Sequence, residues 1–134
     1  YPGSPRIHLE AIDKNSRFQI GDLDFRPIEV MHGKLPVLGF RIGDFAYLTD
    51  MKTIAAQEAS KLAGVGTLVV NALHHTPHHS HLSLNEALEF IAEINPRRAF
   101  LTHMSHRMGR HGEVSADLPA NVAFAYDGLR FECE

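Results

Sequence analysis

Thr-Leu-Val-Val-Asn-Ala-Leu, residues 67–73, is the stretch that decides the fold of this 134-residue chain. The stretch is an apolar run that follows Gly64 and Gly66 and leads directly into a histidine-rich loop. A short apolar run between such boundaries is typical of a β-strand that is buried on both faces. We therefore take this strand as the centre of a layered α/β sheet.

A helix is predicted on each side of this strand. Before it, apolar residues recur at helical spacing from Ile54 to Ala63, with Thr53 as the predicted N-cap. After it, Ser83 and Glu86 have the spacing of a capping box, which predicts a helix that runs to Ile94. Residues 98–102 are predicted to form another buried strand, so the order here is strand, helix, strand, helix, strand.

The rest of the chain predicts further strands. Residues 18–20 and 23–31 flank the turn at Gly21, and residues 37–42 and 45–48 flank the turn at Gly43. A last hairpin is predicted from 122–126 and 129–131, around Asp127 and Gly128. The prediction is an α/β sheet that begins as a strand meander and carries its helices on one face.

The bulk composition limits the classes of function. The chain is 44% hydrophobic and 22% charged, with a net charge of −3, which gives no electrostatic footprint for nucleic acid or a membrane surface. No apolar run approaches the roughly 20 residues that span a bilayer. The single cysteine, Cys133, cannot form an internal disulfide, and we expect a cytoplasmic protein.

Ten histidines suggest metal or proton chemistry, and their positions matter more than their number. His32 and His103 follow predicted strands, and Asp50 follows a third. Because functional groups gather at the carboxyl ends of strands in α/β sheets, we expect these side chains to meet. Two imidazoles and a carboxylate form a ligand set that suits zinc, manganese or iron.

Most of the other histidines do not need a catalytic or metal-binding role. They lie in the loop at 74–81 and in the polar segment after His103. The loop can be a solvated tract or an opportunistic metal site, and most of its members are expected to do no chemistry. His81 differs because it lies just before the helix opened by Ser83. His106 and His111 are expected to be capping or exposed residues. No dinucleotide-binding glycine loop and no Gly-x-Ser-x-Gly motif is present.

These strand ends, taken in order, resemble the metallo-β-lactamase superfamily, and in particular its branch of PhnP-related phosphodiesterases, with ribonuclease Z as a more distant relative. The matching segments are Val-Met-His-Gly at 30–33, Leu-Gly-Phe-Arg-Ile at 38–42, Phe-Ala-Tyr-Leu-Thr-Asp at 45–50, His-Leu-Ser-Leu-Asn-Glu-Ala at 81–87, Leu-Thr-His-Met-Ser-His at 101–106 and Ala-Tyr-Asp-Gly at 125–128. The resemblance extends over most of residues 18–131.

The resemblance implies a four-layer αβ/βα sandwich with a two-metal site along one edge. In such a protein His32 would bind one divalent ion, His103 the other, and Asp50 would bridge the two zinc or manganese ions. A hydroxide activated by both ions would then attack a small or cyclic phosphodiester. His81 matches a non-ligand histidine near the substrate, where it would act as a general acid or orient the phosphate.

The chain also departs from the family, because the His-x-His-x-Asp-His signature is absent. The resemblance therefore implies a single partial domain over residues 1–134, the C-terminal half of the sandwich. We expect such a half to be inactive alone and to bind metal singly, weakly or not at all. We also expect its exposed sheet face to self-associate or to pair with an N-terminal half.

Two alternatives remain open. The same scaffold serves other substrates, such as RNA 3′ ends and thioesters, and a fold does not choose among them. The second alternative is a non-catalytic domain that binds metal or a partner.

Overall fold

A computed structural model describes the whole chain, residues 1–134, around one sheet of seven strands in the order β1 to β7. The strands are β1 Phe18–Ile20, β2 Leu23–His32, β3 Leu35–Ile42, β4 Phe45–Leu48, β5 Thr67–Asn71, β6 Arg98–Thr102 and β7 Val122–Phe124. The helices are α1 Ala56–Ala59, α2 Leu84–Ile94 and α3 His111–Val114, with 3₁₀ turns at Ser60–Leu62, His106–Met108 and Ser115–Asp117. None of the helices has the length and apolar character needed to cross a bilayer.

The strand directions bring the carboxyl ends of five strands to one edge of the sheet. Strands β1 to β4 pair antiparallel with their neighbours, whereas β4 to β7 pair in parallel. It follows that β2 runs in the same direction as β4, β5, β6 and β7. This mixed sheet with helices confirms the predicted α/β class, and its shared edge is where functional groups are expected.

One face of the sheet forms the hydrophobic core with the helices. Apolar side chains from the strands and from α2 are fully or almost fully buried there: Ile28, Val30, Leu48, Leu68, Val70, Leu101, Ala87, Phe90 and Ile91. Gly39 of β3 lies so close to β4 that an added Cβ would be 2.5 Å from Cδ2 of Leu48 and 2.6 Å from the carbonyl oxygen of Tyr47. The core therefore requires glycine at that position.

The opposite face of the sheet is aromatic and only partly covered. The strand register places Phe40, Tyr47, Val69 and Phe100 in one row across β3 to β6. The side chain of Tyr47 remains 42% exposed. The C-terminal segment covers part of this face, where the ring of Phe131 stacks on Phe100 with centroids 4.8 Å apart. We call this surface the aromatic face.

Two sequence predictions were wrong in detail. The first helix begins at Ala56 and has no side-chain cap, because Thr53 is used elsewhere: its carbonyl accepts from Met31 N at 2.9 Å and extends the pairing of β2. The last hairpin does not form either. Strand β7 pairs in parallel with β6, and residues 129–131 are not a strand. The stacking of Phe131 on the aromatic face accounts for that difference.

Candidate metal centre

The carboxylate of Asp50 lies at the centre of the candidate site. Its Oδ1 atom is 3.1 Å from Nε2 of His81, 3.3 Å from Nε2 of His103 and 3.8 Å from Nε2 of His32. The structure thus brings together the four residues that the sequence singled out. The rings also contact one another, with centroids 4.5 Å apart for His32 and His81 and 4.9 Å apart for His81 and His103.

The sheet edge positions three of these side chains directly. His32 is the last residue of β2, Asp50 follows β4 by two residues, and His103 comes directly after β6. Asp50 and His103 have φ angles of 58° and 61°, in the left-handed region that residues other than glycine rarely adopt. Such backbone costs on the order of 1–3 kcal/mol per residue and tends to occur at functional sites. Here it turns the chain sharply where each strand ends.

Asn71 fixes the segment that follows Asp50. Its buried side chain accepts from Met51 N at 2.8 Å and donates to Met51 O at 2.9 Å. The same carbonyl of Met51 accepts from Leu82 N at 2.9 Å. Met51 and Leu82 directly follow Asp50 and His81, so these bonds tie the two site residues to the end of β5. The sequence prediction treated Asn71 as part of an apolar run and overlooked this role.

Helix α2 and the loop before it hold His81. Ser83 accepts from Glu86 N at 3.3 Å, and Glu86 accepts from Ser83 N at 3.4 Å, which confirms the predicted capping box. Leu73 N donates to Leu82 O at 2.9 Å, so the loop closes on itself next to the site. The backbone of His81 is therefore fixed on both sides.

The second ring nitrogen of His81 also has partners. Its Nδ1 lies 3.0 Å from Oγ of Ser80 and 3.4 Å from Nδ1 of His78. His78 in turn lies 3.2 Å from the same hydroxyl. The sequence prediction left both residues without a role; their only signal was proximity to His81 in the chain.

Three further histidines lie outside this group. His75 contacts the carbonyl of Met108 at 2.8 Å, and His111 packs edge-on against the ring of Phe124. His106 is exposed and begins a 3₁₀ turn. None of the three contacts Asp50.

The electrostatics of the site favour an ionised carboxylate beside a neutral imidazole. Burial raises the pKa of Asp50, but the hydrogen bond from His81 and the Coulombic effect of the nearby His103, His81 and His32 side chains outweigh it, so the pKa is lowered. Burial is also the main reason why the pKa of His81 is lowered, and its bond to Asp50 opposes this only in part. A carboxylate and neutral imidazoles are the protonation states that bind metal.

The donor atoms fit a small divalent cation. One ligand atom each from His32, Asp50 and His81 lies within 4.8 Å of the other two. Bonds of about 2.0–2.1 Å to a tetrahedral ion place two ligand atoms about 3.3 Å apart. The distances around Oδ1 of Asp50 are close to that value, and mixed imidazole and carboxylate donors suit zinc or manganese.

Comparison with known families agrees with this geometry. Residues 2–104 match the model of a family described as "Beta-lactamase superfamily domain". The chain belongs to the metallo-β-lactamase superfamily. The matched region includes His32, Asp50, His81 and His103, and the resemblance seen in the sequence is confirmed.

Solved structures of this superfamily overlay the chain. A crystal structure of a new diphosphatase from the PhnP family is 32% identical, with a TM-score of 0.86 over 90% of this chain and 47% of that chain. YhfI from Bacillus subtilis is 17% identical, with a TM-score of 0.71 over 92% of this chain and 55% of its own. The short form of human tRNase Z is 19% identical, with a TM-score of 0.65 over 84% and 42%. The last two likenesses show the fold alone.

A curated relative has a different name. An octanoyltransferase of Porphyromonas gingivalis (strain ATCC BAA-308 / W83) is 39% identical over 130 residues, which are 96% of this chain and 26% of that protein. The chain therefore spans about a quarter of this relative and about half of the metallo-β-lactamase structures. The expected ligand roles and the two-ion content remain predictions.

Proposed function

We propose that this chain carries part of the active site of a metal-dependent phosphodiesterase that acts on a small or cyclic phosphodiester. The observation that carries the proposal is the convergence of three imidazole nitrogens within 3.8 Å of one carboxylate oxygen of Asp50. That donor set lies at the edge of a metallo-β-lactamase sheet, where the carboxyl ends of five strands meet.

Each residue has a role in this proposal. His32 and His103 would each hold one divalent ion, zinc or manganese, and Asp50 would contribute its carboxylate to both. When bound, the ions supply Lewis acidity that activates water and neutralises charge on the phosphoryl oxygens. His81 is almost buried and lies within hydrogen-bond reach of Asp50, so it can place a ring N–H near the substrate phosphate.

The neighbours guide the choice of substrate. The PhnP-family neighbour, at 32% identity, is called a diphosphatase, which supports phosphoryl chemistry. A substituted diphosphate is therefore the second candidate. Its phosphorus carries an ester oxygen and a bridging oxygen, so it resembles the phosphorus of a phosphodiester, which carries two ester oxygens. RNA 3′ ends are the third candidate, because they present a phosphodiester to the same site.

Acyl transfer is less well supported. The octanoyltransferase name describes a protein of which this chain matches only 26%. The one thiol of the chain, Cys133, is exposed and is absent from the groups around Asp50. Thioester hydrolysis by the same metal site is nevertheless included as an arm of the test.

The activity belongs to a larger assembly in this proposal. The chain supplies two imidazoles and a carboxylate for two ions, so further ligands come from another polypeptide segment that packs on the aromatic face. The 134-residue chain alone is then inactive. Its setting is the cytoplasm, as expected from the single Cys133.

The test compares the 134-residue chain with the longest natural reading frame that contains it. Bis(p-nitrophenyl) phosphate, p-nitrophenyl phosphate, a diphosphate diester, an RNA 3′ end and an acyl thioester are offered with manganese or zinc. We expect diester turnover by the longer protein that disappears with a chelator and with His103→Ala. Turnover confined to the thioester, or unaffected by the chelator, would contradict the proposal.

A further inference from the structure

His81 has more features of a metal ligand than either of the histidines that the family resemblance assigns to that role. Its Nε2 is the imidazole nitrogen nearest to Oδ1 of Asp50, at 3.1 Å. Its side chain is 11% exposed, against 33% for His32 and 43% for His103. A more buried imidazole loses less conformational freedom when an ion binds.

The outer contacts point the same way. A histidine that binds metal through one ring nitrogen almost always donates the other N–H to an acceptor, which fixes the tautomer and the ring orientation. Nδ1 of His81 has such a partner in Oγ of Ser80 at 3.0 Å, with Nδ1 of His78 at 3.4 Å. The other ring nitrogens of His32 and His103 make no hydrogen bond. Among the three histidines, His81 therefore has the most fully supported ring orientation.

The loop that carries His81 is also packed against the strand that carries His32. Ser80 is 4% exposed, and a Cβ on Gly33 would lie 3.5 Å from Cβ of Ser80. Gly33 directly follows His32, so the end of β2 and the loop before α2 touch at this point. One ligand atom each from His32, Asp50 and His81 thus lies within 4.8 Å of the other two.

We propose that the 134-residue chain by itself holds one divalent transition-metal ion through His32, Asp50 and His81, with His103 outside the set. The inference rests on the metal-binding part of the proposed function and gives His81 a ligand role in this one-ion state. Because a carboxylate only accepts, Nε2 of His81 carries the proton in the bond to Asp50. With an ion on Nε2, the imidazole of His81 would carry its proton on Nδ1 and would donate it in a hydrogen bond to Oγ of Ser80.

The test titrates the 134-residue chain with Co²⁺ and follows its visible absorption, with circular dichroism as the check on folding. We expect one equivalent of Co²⁺, and an affinity that falls about 100-fold or more in His81→Ala and about tenfold in Ser80→Ala. His103→Ala and the loop control His79→Ala should change the affinity less than about threefold. His81→Gln replaces His81→Ala if the alanine variant does not fold.

Several results would overturn the inference. These are no binding, two equivalents of Co²⁺, or a loss in His103→Ala that equals the loss in His81→Ala. An unchanged affinity in Ser80→Ala would contradict the inferred role of the Ser80 hydroxyl in supporting His81 as a ligand. The test is independent of catalysis, so a longer protein without phosphodiesterase activity refutes the proposed function but leaves a one-ion site at His81 intact.

Discussion

Nε2 of His81 donates a hydrogen bond to Oδ1 of Asp50 at 3.1 Å, although the two residues are 31 positions apart in the chain. Two hydrogen bonds close to this contact hold it, because the backbone oxygen of Met51 accepts both from Leu82 N and from the side-chain amide of Asn71. The candidate metal centre is therefore built into the sheet edge and the loop before α2.

Asn71→Leu is predicted to destabilise the fold and to loosen the site. Leucine has a similar volume but cannot bond Met51, so the buried N–H of that residue loses its partner. We expect a loss of about 2–3 kcal/mol in the free energy of unfolding, measured by urea denaturation. Asn85→Ala, on the exposed side of α2, is the control and should change the free energy by less than about 0.5 kcal/mol.

Metal affinity provides a second measure of the same variant. If Asn71 positions Asp50, Asn71→Leu should weaken zinc binding at temperatures where the protein is still folded. Full affinity in a folded but less stable variant would mean that Asn71 supports the fold and not the site.

Glu58 is predicted to stabilise the protein above about pH 5 and to lose this effect in acid. Its carboxylate accepts from Lys61 Nζ at 2.7 Å and from Glu29 N at 2.9 Å. Burial raises the pKa of Glu58, but these two bonds lower it further, so the folded pKa lies below the usual value. A lowered pKa stabilises the folded state above the unfolded pKa of about 4.3, and this stabilisation is lost as the pH falls through the folded pKa.

Glu58→Gln tests this dependence. At pH 7 we expect it to lower the free energy of unfolding by about 2 kcal/mol, because Lys61 keeps its charge without a carboxylate partner. The difference from the wild type should shrink below about pH 4. Glu89→Gln, at an exposed position of α2, should show no such pH dependence, and a constant difference for Glu58→Gln would refute the assignment.

The aromatic face is predicted to drive self-association when nothing else covers it. Exposed apolar sheet faces promote association, and Tyr47 lies in the middle of the row. In sedimentation equilibrium the average mass of the chain should rise with concentration, and Tyr47→Lys should reduce that rise. Tyr126→Lys, at an exposed tyrosine outside the strands, is the control. A monomer at all concentrations would contradict the prediction.

The sequence predicted the elements whose signals are local. The capping box of Ser83 and Glu86 marks the start of α2, and the turns at Gly21 and Gly43 set two hairpins, because these structures form from residues close in the chain. The convergence of His32, Asp50 and His103 also followed from the sequence, since each comes at the end of a strand that runs in the same direction.

Tertiary contacts determine the features that the sequence did not predict. Thr53 has the chemistry of an N-cap, but pairing with Met31 in β2 takes its backbone. Residues 129–131 alternate like a strand, but Phe131 stacks on a ring of β6 instead. The role of Asn71 depends on Met51, which is 20 positions away. The contacts of Ser80 and His78 with His81 depend on the conformation of the loop before α2. Hydrophobic periodicity in the sequence does not predict that conformation.

The most direct test of the account is calorimetric titration of the 134-residue chain with zinc, for the wild type, Asp50→Asn and a His75→Ala/His79→Ala double variant. The account predicts that Asp50→Asn weakens binding at least about tenfold, whereas the double variant keeps the affinity of the wild type. The opposite pattern, with binding lost in the double variant and kept in Asp50→Asn, would show that the histidine loop binds zinc opportunistically and that Asp50 is not the centre of a metal site.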